Sequence, residues 1–300
     1  MAAFGLAVFA CLGTQAHEGP EHEIAELTLR IEAGESADLL TQRAIEYQVI
    51  GKYAEAAKDL ERALKLEEGS VLALRELIRA QFSLGKTNEA LSTATRAVKL
   101  LRPGPDHAYV LMLRADLLRL SRDLQKALDD ANTAIREYPG NVEWYLTRSQ
   151  LHALLNQKTE RIKGLDEGIK ATGSGLLDTE RVDALIADGQ SDEALALIEK
   201  ELKSSRLRSS WLIRRAKVRL GTGRSEDAKA DLEAAIDELD RRLNTKFVDA
   251  SLLVDRGTAL DLLGKPADAR KDYEQARDKG FADENLRERI RVLKDKAPAE

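Results

Sequence analysis

Alanines recur along this chain at a spacing of 34 residues, or close to it, each a few positions after a turn, and that period restricts the fold more than any other feature. The clearest copies read GKYAEAAKDLERAL from Gly51, GKTNEALSTATRAV from Gly85, GRSEDAKADLEAAI from Gly223 and GKPADARKDYEQAR from Gly264. Gly51 and Gly85 lie one period apart, as do Ala194 and Ala228, so a structural unit repeats rather than a composition. Each unit reads as a helix, a tight turn and a second helix. A unit of that size cannot bury its apolar face alone and must stack on its neighbours, which predicts an all-α array of helix pairs.

The pairs can be placed one by one. The first runs from about Ala37, with Leu40, Ala44 and Tyr47 on one face, and turns at Gly51 into a helix carrying Ala56, Leu60, Ala63 and Leu64. The second begins near Val71 and turns at Gly85; the third begins near Ala108 after Pro103-Gly104-Pro105 and uses Arg122-Asp123 where a glycine turn is expected. Residues 142–173 are the weakest copy, because Arg161 and Gly168 stand where alanines are expected. Gly173-Ser174-Gly175 then marks a hinge, followed by pairs around Gly189, Gly223 and Gly264, the last after an insertion at residues 241–247. A charged helix from about Asp283 to Lys296 reads as a cap with a polar outer face.

These residues carry a family resemblance. A small residue on the first helix (Ala44, Ala115, Ala216, Gly257), a large one three positions on (Tyr47, Leu118, Leu260), a glycine turn and alanines on the second helix resemble the tetratricopeptide repeat. The resemblance covers about residues 37–280, and Ile78, in place of a small residue, departs from it. It implies an all-α, right-handed solenoid of about seven antiparallel helix pairs with a C-terminal capping helix. The organisation expected is a signal peptide at 1–16, an N-terminal segment and lead-in helix at 17–36, the repeat array at 37–280, and the capping helix and tail at 281–300. Such arrays line a concave groove with their first helices, which implies a non-catalytic scaffold that binds a protein or peptide.

Composition narrows the rest. Charged residues make up 33% of the chain and aromatics 4%, which suits helices with small residues packed between them. A net charge of −5 gives no footprint for a polyanion, so nucleic acid is not an expected partner. Residues 1–16 contain no charged side chain, are dominated by apolar and small residues and end in Thr14-Gln15-Ala16. They predict a signal peptide cleaved after Ala16 and an exported, periplasmic or secreted protein; the run is too short for a membrane span. Phe9 makes a poor lipobox before Cys11, so cleavage is preferred over lipid attachment, and cleavage removes the only cysteine.

Chemistry-bearing motifs are scarce. His17, His22, His107 and His152 are scattered, and no Gly-rich phosphate loop, HExxH, nucleophile elbow or cysteine pair occurs, so neither catalysis nor a cofactor is expected. His17 and His22 are weak metal candidates, and they motivate an alternative reading as an accessory subunit of an envelope enzyme or metal system. On the first helices of pairs two and three, Arg75, Arg79, Phe82, Tyr109, Met112, Asp116 and Arg119 combine bidentate donors with apolar contact. They are the expected partner-binding residues, for a protein or peptide of acidic character. The surroundings of Lys217 and Trp211 are the second location. Thr41, Ile45 and Glu76 stand where co-chaperones of the family carry a lysine and asparagine clamp, which disfavours that role.

Overall fold

A computed structural model describes residues 19–281 and 284–296, and these form sixteen α-helices and no strand. The segment 1–16 and His17 lie outside the described residues. The chain divides into two compact units, the first ending at Gln157 and the second beginning at Lys158. The first holds α1 (Pro20–Ala33), α2 (Ala37–Val49), α3 (Tyr53–Leu66), α4 (Val71–Ser83), α5 (Thr87–Leu100), α6 (Pro105–Leu120), α7 (Leu124–Glu137) and α8 (Val142–Leu154). The second holds α9 (Lys158–Thr172), α10 (Gly175–Ala187), α11 (Ser191–Ser204), α12 (Ser209–Gly221), α13 (Ser225–Leu243), α14 (Ala250–Leu262), α15 (Pro266–Asp278) and α16 (Glu284–Lys296). Each unit is an all-α helical-repeat solenoid in which every helix packs on its neighbours in sequence.

First helices also touch first helices, α2 with α4 and α4 with α6 in one unit, α10 with α12 and α12 with α14 in the other. That contact leaves a face of first helices in each unit. The alanine period explains it: Ala56, Ala63, Ala90, Ala94 and Ala97 are all fully buried, and a larger side chain at any of them would force adjacent helices apart.

Turns within the pairs share one geometry. Residues 51, 85, 122 and 156 in the first unit, and 189, 223 and 264 in the second, all adopt left-handed backbone with φ between 56° and 76°. At Gly51 the Lys52 amide donates to Tyr47 O at 2.7 Å; at Arg122 the Asp123 amide donates to Leu118 O at 2.9 Å, so the third turn keeps the hydrogen bonds without the glycine.

A register of sixteen residues ties first to second helix. Arg43 donates to both oxygens of Asp59 at 2.7 and 2.8 Å, and the same bidentate pair recurs between Arg114 and Asp130, Arg215 and Asp231, and Arg256 and Asp272. Each arginine directly precedes the small residue of its helix. The next position in this register exchanges size across the pair: Ala44 with Leu60, Ile78 with Ala94, Ala216 with Leu232 and Gly257 with Tyr273 are all buried, whereas Ala115 and Ala131 are small on both sides. Ile78 is therefore balanced by Ala94. Gly257 is required by Tyr273, because a Cβ there would lie 2.6 Å from the ring.

Several boundaries differ from expectation. Residues 173–175 do not divide the chain into units: α9 and α10 pack together across that stretch, and the unit boundary precedes α9. The cause lies in the fourth copy, since α9 lacks the alanine stripe, buries only Leu165 and Gly168, and pairs Arg161 with Glu180 of α10 at 2.8 Å. Helix α6 begins at Pro105 rather than near Ala108, because proline suits a first helical position whose amide has no acceptor. The insertion after the sixth pair is partly helical and lengthens α13 to 19 residues.

Candidate functional site

In the first unit, contact between α4 and α6 brings three of the expected binding residues together. The Arg75 guanidinium lies 3.8 Å from the centroid of the Tyr109 ring, and Arg79 donates from Nη2 to the Tyr109 hydroxyl. A cation over the ring face is attracted by the ring's quadrupole, and the second arginine fixes the ring by its hydroxyl, so Tyr109 is held from two sides. Arg79 also donates to Glu76 at 3.0 Å, and Glu76 accepts from Gln48 Nε2 of α2 at 3.1 Å. Arg75 has no carboxylate mate among the described residues, and its Nε is buried without a hydrogen-bond partner.

The remaining candidates separate. Phe82 stands 47% exposed in the last turn of α4. Arg119 and Asp116 pair with each other at 3.7 Å on α6. Burial pushes the Asp116 carboxyl above its usual range, and the neighbouring Arg119 opposes that shift. Met112 is not on the surface: it is 5% exposed, because α6 is covered on both flanks by its own second helix and by α4 and α5, leaving only a narrow outward stripe.

The second unit presents a comparable first-helix face around the other location singled out from the sequence. Trp211 is largely buried, with the Arg214 guanidinium 5.6 Å from its ring centroid, while Lys217 lines a pocket shared with α14 and α16.

The two buried histidines have structural partners. His107 Nδ1 meets Glu137 Oε2 at 2.7 Å and His152 Nδ1 meets Gln157 Oε1 at 2.8 Å, both within the first unit. His22 lies exposed on α1. Among the described residues no group of three or more His, Cys, Asp or Glu side chains is placed to hold a metal ion. No described helix is long and apolar enough to cross a membrane.

Residues 41–100 and 75–142 match the family model described as tetratricopeptide repeat. No curated protein matches the chain in sequence. Among solved structures, it is similar to a tetratricopeptide repeat protein from Parabacteroides merdae ATCC 43184, with 22% identity and a TM-score of 0.59 over 87% of this chain and 99% of that one. TTC0263, a thermophilic TPR protein of Thermus thermophilus, matches with 24% identity and a TM-score of 0.42 over 61% of this chain and 99% of its own. YrrB, described as a TPR protein with an unusual peptide-binding site, matches with 15% identity and a TM-score of 0.47 over 60% and 92% of the two chains.

Proposed function

The chain is a tetratricopeptide repeat protein, and from that premise we propose that it is a non-catalytic scaffold whose α4 and α6 face binds an acidic, carboxylate-bearing peptide. One observation carries the reading. Arg75 is pre-set over Tyr109 with no carboxylate mate among the described residues, and two turns further along α4 the exposed Phe82 offers apolar contact. An incoming carboxylate gains a charge-assisted hydrogen bond from a side chain already ordered by stacking, so little rotamer entropy remains to be lost. Arg79, engaged by Glu76 and Tyr109, acts as the support of the ring rather than as the main donor.

The test is affinity capture from the native extract with the chain lacking residues 1–16, followed by mass spectrometry, comparing the unaltered protein with a combined Arg75→Ala, Arg79→Ala and Phe82→Ala variant. Polypeptides held by the first and lost by the second define the partner, and truncating Tyr109 alone should weaken it by about 1–2 kcal/mol. A normally folded triple variant that binds unchanged refutes the assignment of this face.

Export completes the proposal. The uncharged apolar run before His17 supports it, and N-terminal sequencing of protein from the native host should begin at His17; intact Met1 in a soluble cytoplasmic fraction would contradict it.

A further inference from the structure

We propose that the first-helix face of the second unit holds a pocket for a small amino-dicarboxylate, a molecule of the aspartate or glutamate kind with two carboxylates and one ammonium. The pocket lies between α12, α14 and α16 and has a volume of about 180 Å³. Ile213 and Leu286, both buried, supply apolar wall together with Val254, and Lys217, Asp255 and Arg289 supply charge. A cavity of this volume suits a ligand of a handful of heavy atoms.

The charges are what select the ligand. Arg214 lines the pocket too, but its Nε and Nη2 donate to the two oxygens of Asp183 on α10 at 3.0 and 2.7 Å, so those two groups satisfy each other. Lys217 and Asp255 make no hydrogen bond and no ion pair among the described residues. Among the described residues Arg289 donates only to neutral oxygens, Thr258 Oγ1 at 3.1 Å and Tyr273 Oη at 3.2 Å. Two cations and one anion thus share one pocket without direct mates. Burial works against the charged form of both side chains that lack a hydrogen-bonded mate: it pulls the Lys217 ammonium below its usual range, against Asp183 and Asp255, and pushes the Asp255 carboxyl up, against Arg214 and Lys217. Such partly dry, unmatched charges are costly until a counterpart arrives, and they mark a binding site more often than a structural pair does.

The counterpart is fixed by counting. A lone carboxylate leaves one cation and Asp255 unmatched, a simple zwitterion leaves one cation, and a dicarboxylate leaves Asp255 facing no donor. An amino-dicarboxylate matches all three, with a carboxylate each for Lys217 and Arg289 and the ammonium for Asp255. The inference concerns the second unit and stands apart from the peptide face of the first.

Calorimetric titration of the whole protein tests it, with L-aspartate, L-glutamate, succinate and glutarate as ligands and circular dichroism to confirm that each variant is folded. L-Aspartate or L-glutamate should bind at millimolar concentration or below, and Lys217→Met should weaken that binding about tenfold or more. Asp255→Asn should weaken the amino-dicarboxylate by about tenfold yet leave the matching dicarboxylate equal or tighter, a switch that loss of the pocket's shape would not produce. Four results would overturn the proposal: no binding of either amino acid in the millimolar range, a dicarboxylate that binds as well as its amino counterpart, unchanged binding in both variants, or tighter binding of an aspartate- or glutamate-terminated peptide than of the free amino acid.

Discussion

Gly257→Ala probes the packing logic of the array with a single carbon. The new Cβ would stand 2.6 Å from Tyr273 Cε1, 2.8 Å from Cδ1 and 3.2 Å from the Ala269 carbonyl oxygen, where an undisturbed carbon contact is about 3.5–4.0 Å. Tyr273 cannot swing aside, being fully buried with its hydroxyl bonded to Thr258 and Arg289. Overpacking of this kind costs about 1–3 kcal/mol, and an overlap of roughly an ångström puts the change toward the upper end. Alanine returns about 1 kcal/mol through helix propensity, so the net expectation is a loss of about 1–2 kcal/mol. Urea denaturation followed by helical circular dichroism measures it, read as a shift in midpoint at constant slope. The cycle is closed with Tyr273→Leu, in whose background Gly257→Ala should be neutral or stabilising. A single variant as stable as the original, or the same penalty in both backgrounds, would show that the glycine is not there for the ring.

Three further outcomes are expected. Asp59→Ala should cost about 3–5 kcal/mol by stranding the buried Arg43, whereas Asp237→Ala, which breaks the exposed pair with Arg241, should cost about 0–1 kcal/mol; equal costs in parallel denaturation curves would contradict the role given to the register. Arg122→Gly should stabilise the third turn by about 1 kcal/mol, since a side chain at φ 64° carries a penalty that glycine lacks, and a lower melting temperature would refute it. Because the folded carboxyl of Asp116 titrates above its ordinary 3.8, its contribution to stability is fully present below that value and is lost as pH rises through the raised one. The stability of the unaltered protein relative to Asp116→Asn should therefore fall over that window and then level, and a rising difference would reverse the assignment.

The repeat was legible because its steric demand appears as residue type at fixed spacing: alanine where helices touch, and a left-handed residue where they turn. The Arg–Asp register was equally open to reading, as an arginine directly before the small residue with an aspartate sixteen positions on, but it is a signal of two residues among many charged ones. Met112 was misplaced because helical spacing gives an outward direction only after the flanking helices are known; on α6 they cover more than half the circumference. The pocket was hidden by the insertion. Asp255 and Arg289 lie one period apart, yet Lys217 and Asp255 are 38 residues apart, so the three share no regular spacing until the lengthening of α13 is taken out.

The exchange of size between the two helices of a pair bears on how such a chain can evolve. A recombination that carried whole units along would keep Gly257 with Tyr273 and Ile78 with Ala94, and each would arrive already fitted. One that joined the first helix of the second pair to the second helix of the seventh would set Ile78 against Tyr273 in a space that tolerates only one of them, and the reciprocal product would leave Gly257 opposite Ala94 with a void between. The helices of this array are thus inherited as couples, and the permitted crossover points are the links between pairs rather than the turns within them.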